Sequence, residues 1–180
     1  DGRGLVLLSE NPDVLGAGAK AAADRKPLLY AATKANADAM AKLAKEIAAP
    51  LAVKGANLDE TAELAAKLTA AGLKDLVLDA GARTPRQALE DQIIIRRAAL
   101  MKKFRPLGFP TITFPCEMTS DPMMETLLAS MLMAKYAGIV VLSDLEGHSL
   151  FPLLVERMNL FTDPQRPMAT SEGIYEIGGP

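Results

Sequence analysis

In 180 positions the chain has one cysteine, one histidine, no tryptophan and only 4% aromatic residues. A single thiol, Cys116, excludes an internal disulfide. It also excludes an iron–sulfur cluster held by this chain alone, because such clusters take several thiolates. Histidine, cysteine and carboxylates do not fall at metal-ligand spacing. Neither sign of charge dominates, and a formal net charge of −2 offers no basic face for nucleic acid. Apolar runs stay short of the roughly 20 residues that span a bilayer. Asp1-Gly2-Arg3-Gly4 leads straight into a strand-like run, so no signal peptide is expected and the cytoplasm is the expected compartment.

What the chain does have is a repeat of short apolar runs, each followed by a polar or glycine-bearing turn and a helical pattern. The runs are Leu5–Ser9, Pro27–Ala32, Pro50–Lys54, Asp75–Asp79, Pro110–Pro115 and Gly138–Ser143, with a weaker Gly173–Ile177 at the end. Parallel strands joined by helices read this way, because their strands are buried on both faces. Eight such units close a (β/α)8 barrel of about 250 residues. Here six to seven units fill residues 1–180, so the expected fold is α/β, a partial barrel of the TIM type in one domain. An open barrel leaves strand edges exposed, which counts against independent activity.

Helix starts are signed by Asn11-Pro12, Thr84-Pro85 and Asp121-Pro122, each a capping side chain before a proline in the first turn. Thr84 with Gln87, and Asn57 with Glu60, have capping-box spacing. Apolar residues then recur at three and four: Met40, Leu43, Ile47; Leu64, Leu68; Leu127, Met131, Ala134. Gly72 and Gly138 stand where helices must stop. Asp163-Pro164-Gln165-Arg166-Pro167 is the one irregular stretch.

Gly16-Ala17-Gly18-Ala19-Lys20-Ala21 matches a dinucleotide fingerprint, whose glycines belong on a strand-to-helix turn. Asn11-Pro12 has already begun the helix there, and no acidic residue follows the second strand, so the glycines are read as helix interior. Polar residues gather at strand ends: Ser9 and Glu10, Thr33, Lys54 and Asn57, Asp79 and Arg83, Glu117, Ser143 and Asp144. In closed barrels that end holds the active site, but turns and caps demand the same residue types. Lys54, Asp79 and Glu117, with Asp144 after them, are the candidates for proton transfer or, equally, for a buried ion pair. Cys116 and His148 are read as a packed thiol and a surface imidazole, with no partner base implied. Arg96, Arg97, Lys102, Lys103 and Arg105 form the densest basic stretch, read as a solvated helix end or, less simply, as a surface for an acidic partner.

Several stretches are more specific than these patterns. They are Asp24-Arg25-Lys26-Pro27-Leu28-Leu29-Tyr30-Ala31-Ala32-Thr33, Pro50-Leu51-Ala52-Val53, Asp75-Leu76-Val77-Leu78-Asp79 and Ile95-Arg96-Arg97-Ala98, followed by Thr162-Asp163-Pro164-Gln165 and Glu176-Ile177-Gly178. From about Leu5 to Gly178 the chain resembles the large (gamma) subunit of the corrinoid iron–sulfur protein of the CO dehydrogenase/acetyl-CoA synthase system. Asp79-Ala80-Gly81 departs from that family at the turn, where Asp-Pro-Gly is frequent. The resemblance implies a central barrel between a [4Fe–4S] domain and a corrinoid (cobalamin) domain, and this chain matches the barrel. It implies a methyl carrier in one-carbon metabolism, with the small subunit, a methyltransferase and acetyl-CoA synthase/CO dehydrogenase as partners. Neither cofactor is expected on this segment, and no catalytic residue is carried over from the family. The alternative is a free-standing barrel enzyme using Lys54, Asp79, Glu117 and Asp144 on a small anionic or pterin-like substrate.

Overall fold

The computed structural model describes residues 4–160; Gly173–Ile177 and the irregular stretch at 163–167 lie outside them. Among the described residues six strands and six α-helices alternate: β1 Val6–Leu8, α1 Pro12–Ala21, β2 Leu28–Ala32, α2 Ala37–Glu46, β3 Leu51–Lys54 and α3 Leu58–Ala70. Then come β4 Leu76–Asp79, α4 Pro85–Leu100, β5 Ile112–Thr113, α5 Pro122–Ala134, β6 Ile139–Val140 and α6 Gly147–Leu160. All pairings are parallel and run in chain order, β1-β2-β3-β4 and β5-β6, with Leu78 bridging to Thr111 between the two groups. The chain is thus α/β with alternating βα units, compatible with a partial barrel.

The handedness of parallel crossovers places every helix on one side of such a sheet. Burial agrees. One core cluster joins alternate strand residues Leu29, Leu51, Val53, Leu76 and Leu78 to Met40, Leu64, Leu68 and Ile95 of the helices. The residues between them, Leu28, Tyr30, Ala52 and Val77, with Ile112 and Phe114, form a second cluster that contains no α-helical residue. Strand alternation then carries Lys54 and Asp79 onto that helix-free face, directly after Ala52 and Val77, and pairs them in register.

Local chemistry refines several expectations. Asn11 and Asp121 cap through their side chains, whereas Thr84 makes no such bond and Gln87 donates to Asp91 instead. Asn57 accepts from the Glu60 N–H, but Glu60 reaches back to the N–H of Ala56, one residue before the expected position. β5 is shorter than Pro110–Pro115, because the two prolines have no N–H to give and Pro115 opens a 3-10 turn through Glu117. Gly16 and Gly18 lie inside α1, where a Cβ on either would lie 3.4 Å from Leu43 and Leu7 respectively, which is packing and not a phosphate cradle. Gly72 stops α3 with φ +95°, but Tyr136, at φ +67°, ends α5 in place of Gly138. Gly138 is instead where the chain passes 3.1 Å from the Thr111 carbonyl, measured from the position a Cβ would take. On α5 the buried face is Glu125, Leu128, Ala129 and Leu132; Leu127 points out, 56% exposed. That helix is apolar almost all round, so spacing alone did not select its face.

Candidate functional site

At the C-terminal ends of β2, β4 and β5 a charged cluster sits on the helix-free face. Asp79 is 2% exposed, and three residues meet its carboxylate. The Tyr30 hydroxyl donates to Oδ2 at 2.6 Å, and the Gly81 N–H donates to Oδ1 at 2.8 Å. Arg83 adds a two-pronged contact, Nη2 to Oδ2 at 2.8 Å and Nη1 to Oδ1 at 3.1 Å. Such a fork fixes orientation as well as charge. Arg83 Nη2 also donates to the Tyr30 hydroxyl at 3.1 Å, and Nε donates to Glu117 in a short ion pair. Its guanidinium lies 4.6 Å from the centre of the Phe114 ring, which in turn packs at 5.1 Å against Tyr30. Burial opposes the charge on Arg83, yet Asp79 and then Glu117 outweigh it and hold the guanidinium above its ordinary value. Tyr30 is held protonated by burial and by the Asp79 charge, both of which push its hydroxyl up.

The strand-end candidates therefore separate. Asp79 and Glu117 are joined through Arg83, while Lys54 is not part of the cluster. Its Nζ meets Glu10 Oε1 at 2.7 Å, with the two side chains 33% and 58% exposed. Register puts Lys54 beside Asp79, but Tyr30, Gly81 and Arg83 already fill the Asp79 oxygens. A lysine on a flexible stem keeps its ammonium at the wet rim. Asp144 is exposed and accepts from the Glu146 N–H at 3.4 Å, a turn contact. Ser9, Asn36 and Asn57 likewise bond to nearby backbone, as caps and turns do. His148 is exposed. Cys116 is half-buried, and burial, with the charges of Glu117 and Glu125, pushes its thiol up, away from the reactive thiolate.

Sequence reasoning passed over two members of the cluster and one further buried carboxylate. Tyr30 and Phe114 were not singled out, although a hydroxyl in the otherwise apolar Leu28–Ala32 asks for a buried partner. Glu125 is 6% exposed on α5 and accepts from both the N–H and the hydroxyl of Ser143, each at 2.6 Å. Its signal was one carboxylate inside a run of methionine and leucine. The donors present do not suit an iron–sulfur cluster. An iron–sulfur cluster needs several thiolates against the one present, and among the described residues no histidine, cysteine and carboxylate group is placed to hold a metal ion.

Tyr30→Phe tests how tightly the cluster holds its proton. The unfolded tyrosine ionises near pH 10, while the folded one resists, so this group's contribution to stability is intact below about pH 10 and is lost as pH rises above it. The loss runs at up to about 1.4 kcal/mol per pH unit. Urea denaturation between pH 9 and 11 should show a shallower alkaline decline in Tyr30→Phe than in the parent. Equal slopes would mean that Tyr30 ionises freely in the fold.

A parallel α/β sheet wound in chain order, with a self-satisfied charged cluster at its strand ends, describes a class of domains and not one activity. Sequence comparison identifies the family. A profile described as "CO dehydrogenase/acetyl-CoA synthase delta subunit" matches residues 2–180, and the chain belongs to that family. The chain is 49% identical over 174 residues to the corrinoid/iron-sulfur protein large subunit of Moorella thermoacetica, covering 97% of this chain and 39% of that protein. It is 34% identical to the acetyl-CoA decarbonylase/synthase complex subunit gamma of Methanosarcina acetivorans, over 98% of this chain and 40% of the relative. The subunit gamma of Methanocaldococcus jannaschii is 30% identical over 98% and 41% respectively. The chain thus spans about two-fifths of the length of these relatives.

Proposed function

We propose that residues 1–180 form one partial-barrel domain of a corrinoid iron–sulfur methyl carrier. The subunit carries a methyl group from a methyl-tetrahydropterin to acetyl-CoA synthase in the reductive acetyl-CoA pathway, in the cytoplasm. This segment is its scaffold: it spaces the [4Fe–4S] and corrinoid domains and docks the small subunit, while a methyltransferase and acetyl-CoA synthase/CO dehydrogenase meet the whole protein. The observation that carries this reading is the match of nearly the entire chain to the large-subunit and gamma-subunit relatives. Two features of the fold support it. The cluster charges satisfy one another, as a structural element requires. In addition, α6 exposes Phe151, Leu154, Val155 and Met158 at helical spacing, a face that a further βα unit of a barrel would cover.

The test is made in the whole protein, with Glu117→Gln and Lys54→Met. Both side chains are partly exposed, so the fold should tolerate the changes. A scaffold predicts methyl transfer per folded molecule within about twofold of the parent. A catalytic acid or base would lose on the order of 10²–10⁴-fold, and a loss of that size at unchanged melting temperature would overturn the scaffold. Reconstitution of the 180-residue segment with cobalamin or iron should give no stoichiometric corrinoid or cluster spectrum.

A further inference from the structure

The basic stretch of the sequence is not explained by the proposed role. In the fold it divides. Arg105 lies 5.5 Å from the Phe109 ring centre, and Arg96 lies 3.9 Å from that of Tyr136. Arg96 and Tyr136 flank a groove of about 350 Å³ between the end of α4, the connection into β5 and the turn between α5 and β6. Pro110 and Gly138, just ahead of β5 and β6, line it, so it opens at the N-terminal ends of the strands, the opposite end from Asp79. Ile95, Leu107, Phe109 and Ala137 give it an apolar lining, and Arg96 and Lys135 bring two cations to it. Among the described residues no carboxylate lines it, although the whole chain is net acidic. The Arg96 guanidinium carbon lies over the Tyr136 ring, a cation–π contact that engages the charge and leaves N–H donors able to meet an anion.

We propose that this groove binds a small amphipathic anion, a carboxylate or phosphate carried on an apolar or aromatic body. The volume falls at the low end of small-ligand clefts, which run from roughly 300 to 1,000 Å³ and combine an apolar lining with a few charged groups. The apolar lining takes the body, and the cations fix the charged end. Stacking against the Tyr136–Arg96 pair favours an aromatic ring.

The probe is 4-benzoylbenzoate, an aromatic monocarboxylate that cross-links on illumination, applied to the whole protein and mapped by mass spectrometry. Its neutral amide, 4-benzoylbenzamide, serves as the control. Adducts should fall on Leu107–Pro110 and Lys135–Gly138. The amide should label at least about tenfold less, and so should the acid on Arg96→Gln/Lys135→Gln with its melting temperature unchanged. Equal labelling by the amide, insensitivity to the double variant, or adducts concentrated on the exposed face of α6 would overturn the proposal. So would loss of labelling once the partner subunits are bound, because the groove would then be a protein contact.

Discussion

Asp79→Ala should lower the melting temperature by roughly 10 °C or more, the largest effect expected of any side chain in the cluster. The carboxylate is 2% exposed and answers four donor groups at once. Removing it leaves the Arg83 guanidinium, pinned over Phe114, without its main counter-charge, and leaves the Tyr30 hydroxyl and the Gly81 N–H without their acceptor. Breaking a buried pair from one side costs about 3–5 kcal/mol, because the surviving charge remains desolvated. For a domain of this size each kcal/mol moves the midpoint by about 2–4 °C. Glu117 only partly compensates, since its side chain is 51% exposed and an exposed pair contributes about 0–1 kcal/mol. Thermal unfolding followed by circular dichroism measures the shift. A change under about 2 °C would mean that Arg83 swings to solvent and that the cluster is not a structural tie.

That expectation rests on contacts only partly legible in the sequence. The alternation of strand and helix was legible because each junction is punctuated locally, by Asn11-Pro12, Asn57 and Asp121-Pro122 among others, and capping acts over a few residues. The helix-free face was legible in principle from strand parity, which puts Asp79 two residues beyond Val77. The partners of Asp79 were not legible. Tyr30 is 49 residues away and Glu117 is 34 from Arg83, so their meeting depends on strand order, twist and turn geometry together. Lys54 shows the limit plainly. Register brings its backbone beside Asp79, yet its long side chain chooses Glu10 across the rim. The short β5 and the buried face of α5 escaped for a different reason: periodicity says that a segment is apolar, not which of its N–H groups finds a partner.

Gly81→Ala should be nearly as damaging, although it removes no side-chain contact. Gly81 has φ +78°, and a Cβ placed there would lie 2.4 Å from the Gly55 carbonyl oxygen. An L-residue in the left-handed region costs about 1–2 kcal/mol. The clash adds to this, because its partner is backbone and does not rotate away. Gly55 is itself fixed, since its N–H donates to the Asp79 carbonyl at 3.1 Å and its own Cβ position lies 2.3 Å from Thr61 Oγ1. The turn after β4 must therefore lift from the loop after β3, losing the Gly81 bond to Asp79, a further contribution of about 1 kcal/mol. Together these give roughly 3 kcal/mol, and the lifted turn also carries Arg83 away from Glu117. Gly72→Ala is the matched control: its φ is +95° but nothing lies within 4 Å of a Cβ there, so it bears the conformational cost alone. Urea midpoints of the two variants should differ, with Gly81→Ala the less stable by about 1–2 kcal/mol, the difference reporting the clash and the lost bond. If the two variants unfold at the same urea concentration, the loops after β3 and β4 are not locked together, and the placement of Arg83 has another source.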